Sequence, residues 1–345
     1  MPQGRVRDFG ITIGRLPSGP HNAITDVPGV LVGHVTVCQG DAVRTGVTAL
    51  LPHERNLFAE PVPAATHVIN GFGKSLGLPQ IAELGVIETP ICLTSTLNIW
   101  RVADAMVDYL AARNPGAYSF NIVCGECNDG YLNDAVGRHV TAAHVHAALE
   151  NAAAGPVAEG CVGAGMGMRG FGYKAGIGTS SRLIRLEGAE HTVGVLVLTN
   201  TGEPLELRID GLPVGRWLHQ APPQSQELGS IMIIVATDAK LDPRQLQRLA
   251  KRATFGLARA GGTAGHGSGD FVIAFAVPPR EAPPIPEARI THLFLPVIEA
   301  VEEAIINSLF TAETVTGRDG HKAEALPVER VVELLRQHSH SAGGH

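Results

Sequence analysis

Apolar residues along this chain fall into short unbroken runs separated by longer segments in which apolar and polar positions alternate with a helical period. Gly46-Val47-Thr48-Ala49-Leu50-Leu51, Val86-Ile87, Phe120-Asn121-Ile122-Val123, Thr192 to Leu198, Ile231 to Val235 and Phe271 to Val277 read as strands. Several are apolar throughout, which predicts a sheet covered on both faces. Helical spacing predicts helices over Ile99–Arg113, Asp134–Ala152, Pro243–Ala260, Leu295–Thr311 and Val328–Gln337. Asp242-Pro243 is a good helix start and Gly261-Gly262 a matching stop. The alternation predicts a mixed α and β fold with sheets sandwiched by helices. Leu218 to Gly229, rich in Pro, Gln and Ser, is either a linker between two domains or an exposed loop within one. Pro278 to Pro286 reads as a surface loop and Ser339 to His345 as a disordered tail.

Composition narrows the class. The 345 residues are 44% hydrophobic but only 5% aromatic, so aliphatic side chains and close backbone packing must fill a large core. The net charge of -6 and the lack of a basic stripe argue against a nucleic-acid partner. No run reaches the roughly 18–20 apolar residues of a membrane span, and Met1 to Asp8 has no signal-peptide core. The expectation is a cytoplasmic protein. Five cysteines do not suggest a disulfide framework. Cys124 and Cys127 form a lone C-x-x-C without the second pair a structural zinc site needs, and His144 and His146 do not share a helix face. No metal is expected. Gly165, Gly167 and Gly170 spell a nominal G-x-G-x-x-G, but the glycines that follow oppose the helix a dinucleotide site requires. Gly73-Lys74-Ser75 ends like a P-loop, yet Val68 stands where its first glycine belongs. No cofactor is expected.

Four places could carry chemistry. At Gly229-Ser230 a polar, proline-bearing loop meets an apolar strand. A cut there leaves a serine whose hydroxyl can attack while its own α-amine, with an ordinary pKa of about 7.7–8.0, takes the proton. A loop simply entering a core strand is the plainer reading of the junction taken alone. In Gly265-His266-Gly267-Ser268-Gly269-Asp270, Ser268 could relay a proton and Asp270 could hold a substrate ammonium; a glycine-rich turn with a local hydrogen bond is the alternative. Asn200, at the end of the 192–198 strand, could donate to an oxyanion or be an ordinary turn residue. Asn128-Asp129-Gly130 signals a turn, and Asn133 or Asp134 can cap the next helix. Tyr131 beside them could donate to a reacting carbonyl or pack under the turn.

Taken in order along the chain, these segments resemble the DmpA-type aminopeptidases, the family of the L-aminopeptidase/D-Ala-esterase-amidase and the β-peptidyl aminopeptidases. Asn22 to Val30, Glu126 to Asp134, Gly163 to Arg182, Val195 to Gly202, Gly229-Ser230-Ile231, Gly265 to Asp270 and Val301 to Ser308 carry the resemblance over nearly the whole length. It implies an α+β fold, a four-layer αββα sandwich like that of the N-terminal-nucleophile hydrolases. It implies one catalytic domain over 1–345 that cuts itself into 1–229 and 230–345, the pairs forming a homotetramer. Ser230 matches the nucleophile, Asn200 the oxyanion asparagine and Tyr131 the tyrosine near the reacting carbonyl. Ser268 and Asp270 match the serine and acid that assist the nucleophile and its amine, with Asp in place of the family's Glu. The implied substrate is a small peptide or an amino-acid amide or ester. An acyltransferase of the ornithine-acetyltransferase type and a non-catalytic binding module are the alternatives. Ser268 is the rival nucleophile.

Overall fold

The computed structural model describes residues 3–219 and 229–339. Along the chain run β1 (Leu31–Gln39), β2 (Val43–Leu51), β3 (Val62–Gly71), β4 (Ser75–Leu76), α1 (Leu78–Leu84), β5 (Val86–Ile87) and β6 (Ile91–Ser95). Then come α2 (Ile99–Arg113), β7 (Val123–Cys127), α3 (Ala142–Glu150), the ribbon β8 (Arg169–Gly170) and β9 (Tyr173–Lys174), β10 (Ile177–Leu186), β11 (Ala189–Asn200) and α4 (Val214–Leu218). The last part holds β12 (Ser230–Thr237), α5 (Pro243–Ala260), β13 (Gly269–Ala276), α6 (Phe294–Phe310), β14 (Val315–Thr316), β15 (Lys322–Ala323) and α7 (Val328–Ser339).

Two sheets stack face to face. One has the order β1-β2-β6-β7-β4, the other β10-β11-β12-β13-β3-β5. Strand parity builds the layers. On β12, Ile231, Ile233 and Val235 pack with α5 and α6, while Met232, Ile234 and Ala236 pack toward the other sheet with Leu50, Ile91, Leu93 and Val123. The outer face of the first sheet, with Val47, Ala49, Cys92 and Cys124, is covered by Ile99, Val102 and Met106 of α2 and Val145 and Leu149 of α3. The result is helix, sheet, sheet, helix: the expected αββα sandwich. Both faces of β12 and β13 are buried, which is why those strands are apolar throughout.

Helices α2 and α5 match their expected ranges. Asp242 caps α5 by accepting from Gln245 N at 2.7 Å, and Gly261 closes it in the left-handed region at φ 101°. Three expectations are corrected. The helix over 134–152 is confined to α3, because Asp134 turns its carboxylate to Gly137 N (3.1 Å) and His139 Nε2 (2.9 Å), and Arg138 sits at φ 51°. Neither Asn133 nor Asp134 caps it; Thr141 does, its N–H donating to His144 Nδ1 at 3.1 Å. The 120–123 strand shifts to Val123–Cys127, since Asn121 is held by Glu88 through both its N–H (3.0 Å) and its side-chain amide (2.9 Å). Most of the proposed linker, 220–228, and the tail, 340–345, lie outside the described residues.

Much of the wider resemblance maps to scaffolding. Arg182, fully buried on β10, pairs with Glu299 (3.2 Å) and Glu303 (2.7 Å) of α6. Asn307 accepts from Val6 N (3.1 Å) and donates to Thr179 O (3.0 Å), and Asn22 accepts from Ser181 N (2.9 Å). Among the described residues no helix is long and apolar enough to cross a membrane.

Candidate active site

The ends of β11, β12 and β13 meet the end of β7 at a cleft of about 1050 Å³. Register decides what points into it. Asn200 pairs with Ser230 across the antiparallel β11–β12 ladder, and both share the parity of Met232 and Leu198, toward the facing sheet. There Gly125 of β7 lets the two sheets approach closely: a Cβ at that position would lie 2.4 Å from Met232 Cε. The β7 terminus therefore reaches Ser230. The Asn128 N–H donates to Ser230 Oγ at 3.4 Å, and Asn200 Nδ2 donates to the same oxygen at 3.3 Å. Asn200 is itself oriented, its Oδ1 accepting from Arg169 N at 3.0 Å. Ser230 is 5% exposed and Asn200 8%, so these donors act in a largely dry environment.

The bond before Ser230 is packed as closely. Gly229 O accepts from Gly269 N at 3.3 Å. A Cβ on Gly229 would stand 3.0 Å from Ser268 Oγ and 3.1 Å from Thr201 Oγ1, tighter than ordinary contact, so glycine suits the position. The two candidate serines differ in what surrounds them. Ser230 Oγ receives two N–H groups, whereas the Ser268 hydroxyl donates to Asp270 Oδ1 at 2.7 Å.

Asp270 stands behind the cleft wall. Both Ser268 and Ser230 line the cleft, but Asp270 is fully buried and does not. It pairs with Ile231 in the parallel β12–β13 ladder and follows the parity of Val272 and Ala274, on the helix side of the sheet. Burial pushes its pKa up to about 6, with the Ser268 hydroxyl and the Ile231 N–H acting in the opposite direction, and Oδ2 has no hydrogen-bond partner.

Two carboxylates line the cleft, Glu203 and Glu126, the latter at the end of β7 two residues before Asn128. Glu126 Oε1 accepts from Lys74 N (2.9 Å) and Lys74 Nζ (3.3 Å), while Lys74 Nζ also donates to Thr96 Oγ1 (2.8 Å). Sequence reading passed over both residues. Lys74 was visible only as a failed P-loop ending, and Glu126 fell in a segment read as a turn. A strand carried through to Cys127 is the signal that would have placed Glu126.

Tyr131 is a wall of the cleft, 40% exposed rather than packed beneath the turn. Its ring stacks on His321 at 4.6 Å and lies under the Arg169 guanidinium at 3.8 Å. No hydrogen bond joins its hydroxyl to Ser230 or Asn200 among the described residues. Asp129, behind Asn128, is fully buried with Oδ1 accepting from Asn133 Nδ2 at 3.0 Å, and burial pushes its pKa up to about 7. Cys124 and Cys127 sit on opposite faces of β7, the first under the helices and the second between the sheets, so they cannot share a metal. Among the described residues no group of three or more metal-ligating side chains converges.

A stacked αββα sandwich with a serine opening a central strand between two N–H donors defines the class of N-terminal-nucleophile-like folds. Within it, residues 22–323 match Peptidase family S58, and the chain belongs to that family. It is 38% identical to a protein named β-peptidyl aminopeptidase from Sphingosinicella microcystinivorans, over 97% of this chain and 92% of that one. Among solved structures, the PH0078 protein of Pyrococcus horikoshii superposes with a TM-score of 0.91 at 46% identity, covering 97% of this chain and 99% of that one. The L-aminopeptidase D-Ala-esterase/amidase of Ochrobactrum anthropi, described as a prototype serine aminopeptidase and a variant of the Ntn hydrolase fold, gives 0.89 at 37% with the same coverage.

Proposed function

We propose that this protein is a self-processing serine aminopeptidase or amidase, one catalytic unit over 1–345 that cuts itself between Gly229 and Ser230. The observation that carries the reading is the Ser230 hydroxyl, at a strand start directly after Gly229, with two N–H groups on its oxygen. Ser230 Oγ attacks the Gly229 carbonyl carbon, the hydroxyl proton passes to the Ser230 nitrogen, and the C–N bond breaks to leave an ester and a free amine. Water then hydrolyses the ester and frees Ser230. In turnover the same oxygen attacks the carbonyl of an amide or ester, and the Ser230 α-amine takes its proton. Asn200 Nδ2 and Asn128 N–H, which rest on Ser230 Oγ in the uncut chain, turn to the oxyanion that forms on the attacked carbonyl beside it, with Tyr131 closing the wall. An acyl-enzyme forms on Ser230 and water releases the acid.

Asp270 and Ser268 serve the nucleophile's own amine. The uncut chain leaves Asp270 Oδ2 bare inside the protein, and an ammonium at the Ser230 terminus supplies a donor next to it. The substrate's free amine goes to Glu126, whose Oε2 has no hydrogen-bond partner among the described residues. The relatives named for β-peptidyl and L-aminopeptidase activity support the same reaction class. The processed pairs form a homotetramer in the cytoplasm; exposed Trp100 and Val107, one face of α2, offer apolar surface for assembly.

The test compares alanine p-nitroanilide with its N-acetyl derivative in the wild type and in Ser230→Ala. The reading requires release from the free-amine compound by the wild type, much slower release from the blocked one and none by the variant. Transfer of the acyl group to an added amine in preference to water would make the protein an acyltransferase. Full activity in Ser230→Ala would move the nucleophile to Ser268.

A further inference from the structure

The Arg169 side chain has no place in the reaction just described, and the described residues around it do not account for its charge. It stands on the cleft wall with its guanidinium 3.8 Å from the centre of the Tyr131 ring. Its Nε is buried without a hydrogen-bond partner among the described residues. Among the described residues no carboxylate forms an ion pair with it, although Glu126 and Glu203 line the same cleft. Lys74, the other cleft cation of fixed charge, is already engaged by Glu126 and Thr96. A planar, partly desolvated guanidinium held flat against an aromatic ring, with no anion on it among the described residues, is prepared for a carboxylate ligand.

Its position says which part of the substrate supplies that group. Strand β12 lies between β11 and β13. Arg169 N bonds to Asn200 at the end of β11, and Phe171 N bonds to Thr201 O at 3.0 Å, so Arg169 approaches Ser230 from the β11 side. Glu126 approaches from the other side. It is bonded to Lys74, and the adjoining Gly73 packs on Gly269 and Phe271 at the start of β13. A substrate whose free amine rests on Glu126 therefore crosses Ser230 and sends its leaving group toward Arg169.

We infer that Arg169 binds a carboxylate on the leaving group, so the preferred substrates are short peptides whose released residue carries a free carboxylate. The inference rests on the aminopeptidase reading above and narrows its substrate class. Tyr131 is then a positioning residue, whose ring holds the guanidinium in plane, with His321 stacked on the same ring and bonded through Nδ1 to Tyr131 O at 2.8 Å.

The experiment measures kcat/KM for alanyl-phenylalanine as free acid, for the same dipeptide as C-terminal amide, and for alanine p-nitroanilide, which has no carboxylate. The wild type favours the free acid over the amide. In Arg169→Gln the free acid loses roughly ten- to a hundredfold, the range for a hydrogen bond to a charged group, while amide and anilide stay within about threefold. Arg169→Lys, which keeps the charge but not the paired N–H groups, restores part of the preference. Equal rates on acid and amide in the wild type, or equal losses on all three substrates in Arg169→Gln, would overturn the inference. No hydrolysis of any of the three by the wild type would instead overturn the aminopeptidase reading, and this inference with it.

Discussion

Replacing Asn200 with alanine tests the oxyanion geometry, and its size can be worked out beforehand. Two N–H groups reach Ser230 Oγ, one from the Asn200 side chain at 3.3 Å and one from the Asn128 backbone at 3.4 Å. The backbone donor survives any substitution at 200, so the change removes one of two. Loss of a single oxyanion donor in a dry site commonly slows kcat by roughly 10²–10³. The same side chain accepts from Arg169 N, and leaving that N–H unpaired costs about 1–3 kcal/mol of stability, toward the low end because the pair is only part-buried. A fold stabilised by about 5–15 kcal/mol survives that. The assay is kcat on alanine p-nitroanilide beside a denaturation curve. Asn200→Asp adds a control, keeping the acceptor for Arg169 while exchanging the donor for a charge repelling the oxyanion; its rate falls at least as far. A loss of less than a few-fold in the folded alanine variant would place the oxyanion elsewhere.

Glu126→Gln should lower kcat/KM roughly ten- to a hundredfold on free-amine substrates and spare N-acetylated ones, because it removes the charge facing an ammonium; equal losses on both would remove that role. Asp270→Asn should slow self-cleavage and turnover by roughly 10², as loss of support for a proton-transfer group does, without altering discrimination between free and blocked amines. A selective loss on free-amine substrates there would return the ammonium to Asp270. Asp129→Asn should flatten the pH dependence of stability. Burial raises the Asp129 pKa from 3.8 to about 7, so the folded chain favours the protonated carboxyl, and this group's contribution is lost as pH rises from about 4 through 7. Melting temperatures of the wild type should therefore fall more steeply over that interval than those of the variant, and parallel curves would contradict the assignment.

The parts of the fold with a local cause were legible in the sequence. Strand β12 and helix α5 follow from an apolar run and from an Asp-Pro start with a glycine stop. Strand β10 was not legible as a strand, because Thr179, Ser180, Ser181 and Arg182 look like surface residues. They are buried and satisfied largely by partners distant in sequence, such as Ala300 O for Ser180 (2.6 Å) and Val195 O for Thr179 (2.7 Å). Strand β1, at the edge of its sheet, alternates too weakly to declare itself. At the site, the order of motifs singled out Ser230, Asn200 and Ser268, all of which the fold brings to one cleft. It could not show which way Asp270 points. Adjacent strand positions face opposite layers, and which layer a residue at a strand start faces is fixed only by its pairing with the neighbouring strands. Glu126, Lys74 and Arg169 come from three separate segments, and only the stacking of two sheets makes them neighbours of one serine.

The central claim is that Ser230 becomes the first residue of a new chain by its own action. An intact-mass spectrum of the purified wild type, set beside Ser230→Ala, tests it most directly. The account predicts two chains from the wild type, one ending at Gly229 and one beginning at Ser230, and a single uncut chain from the variant. A single uncut chain in catalytically active wild type, or a second chain beginning at Ser268, would contradict it.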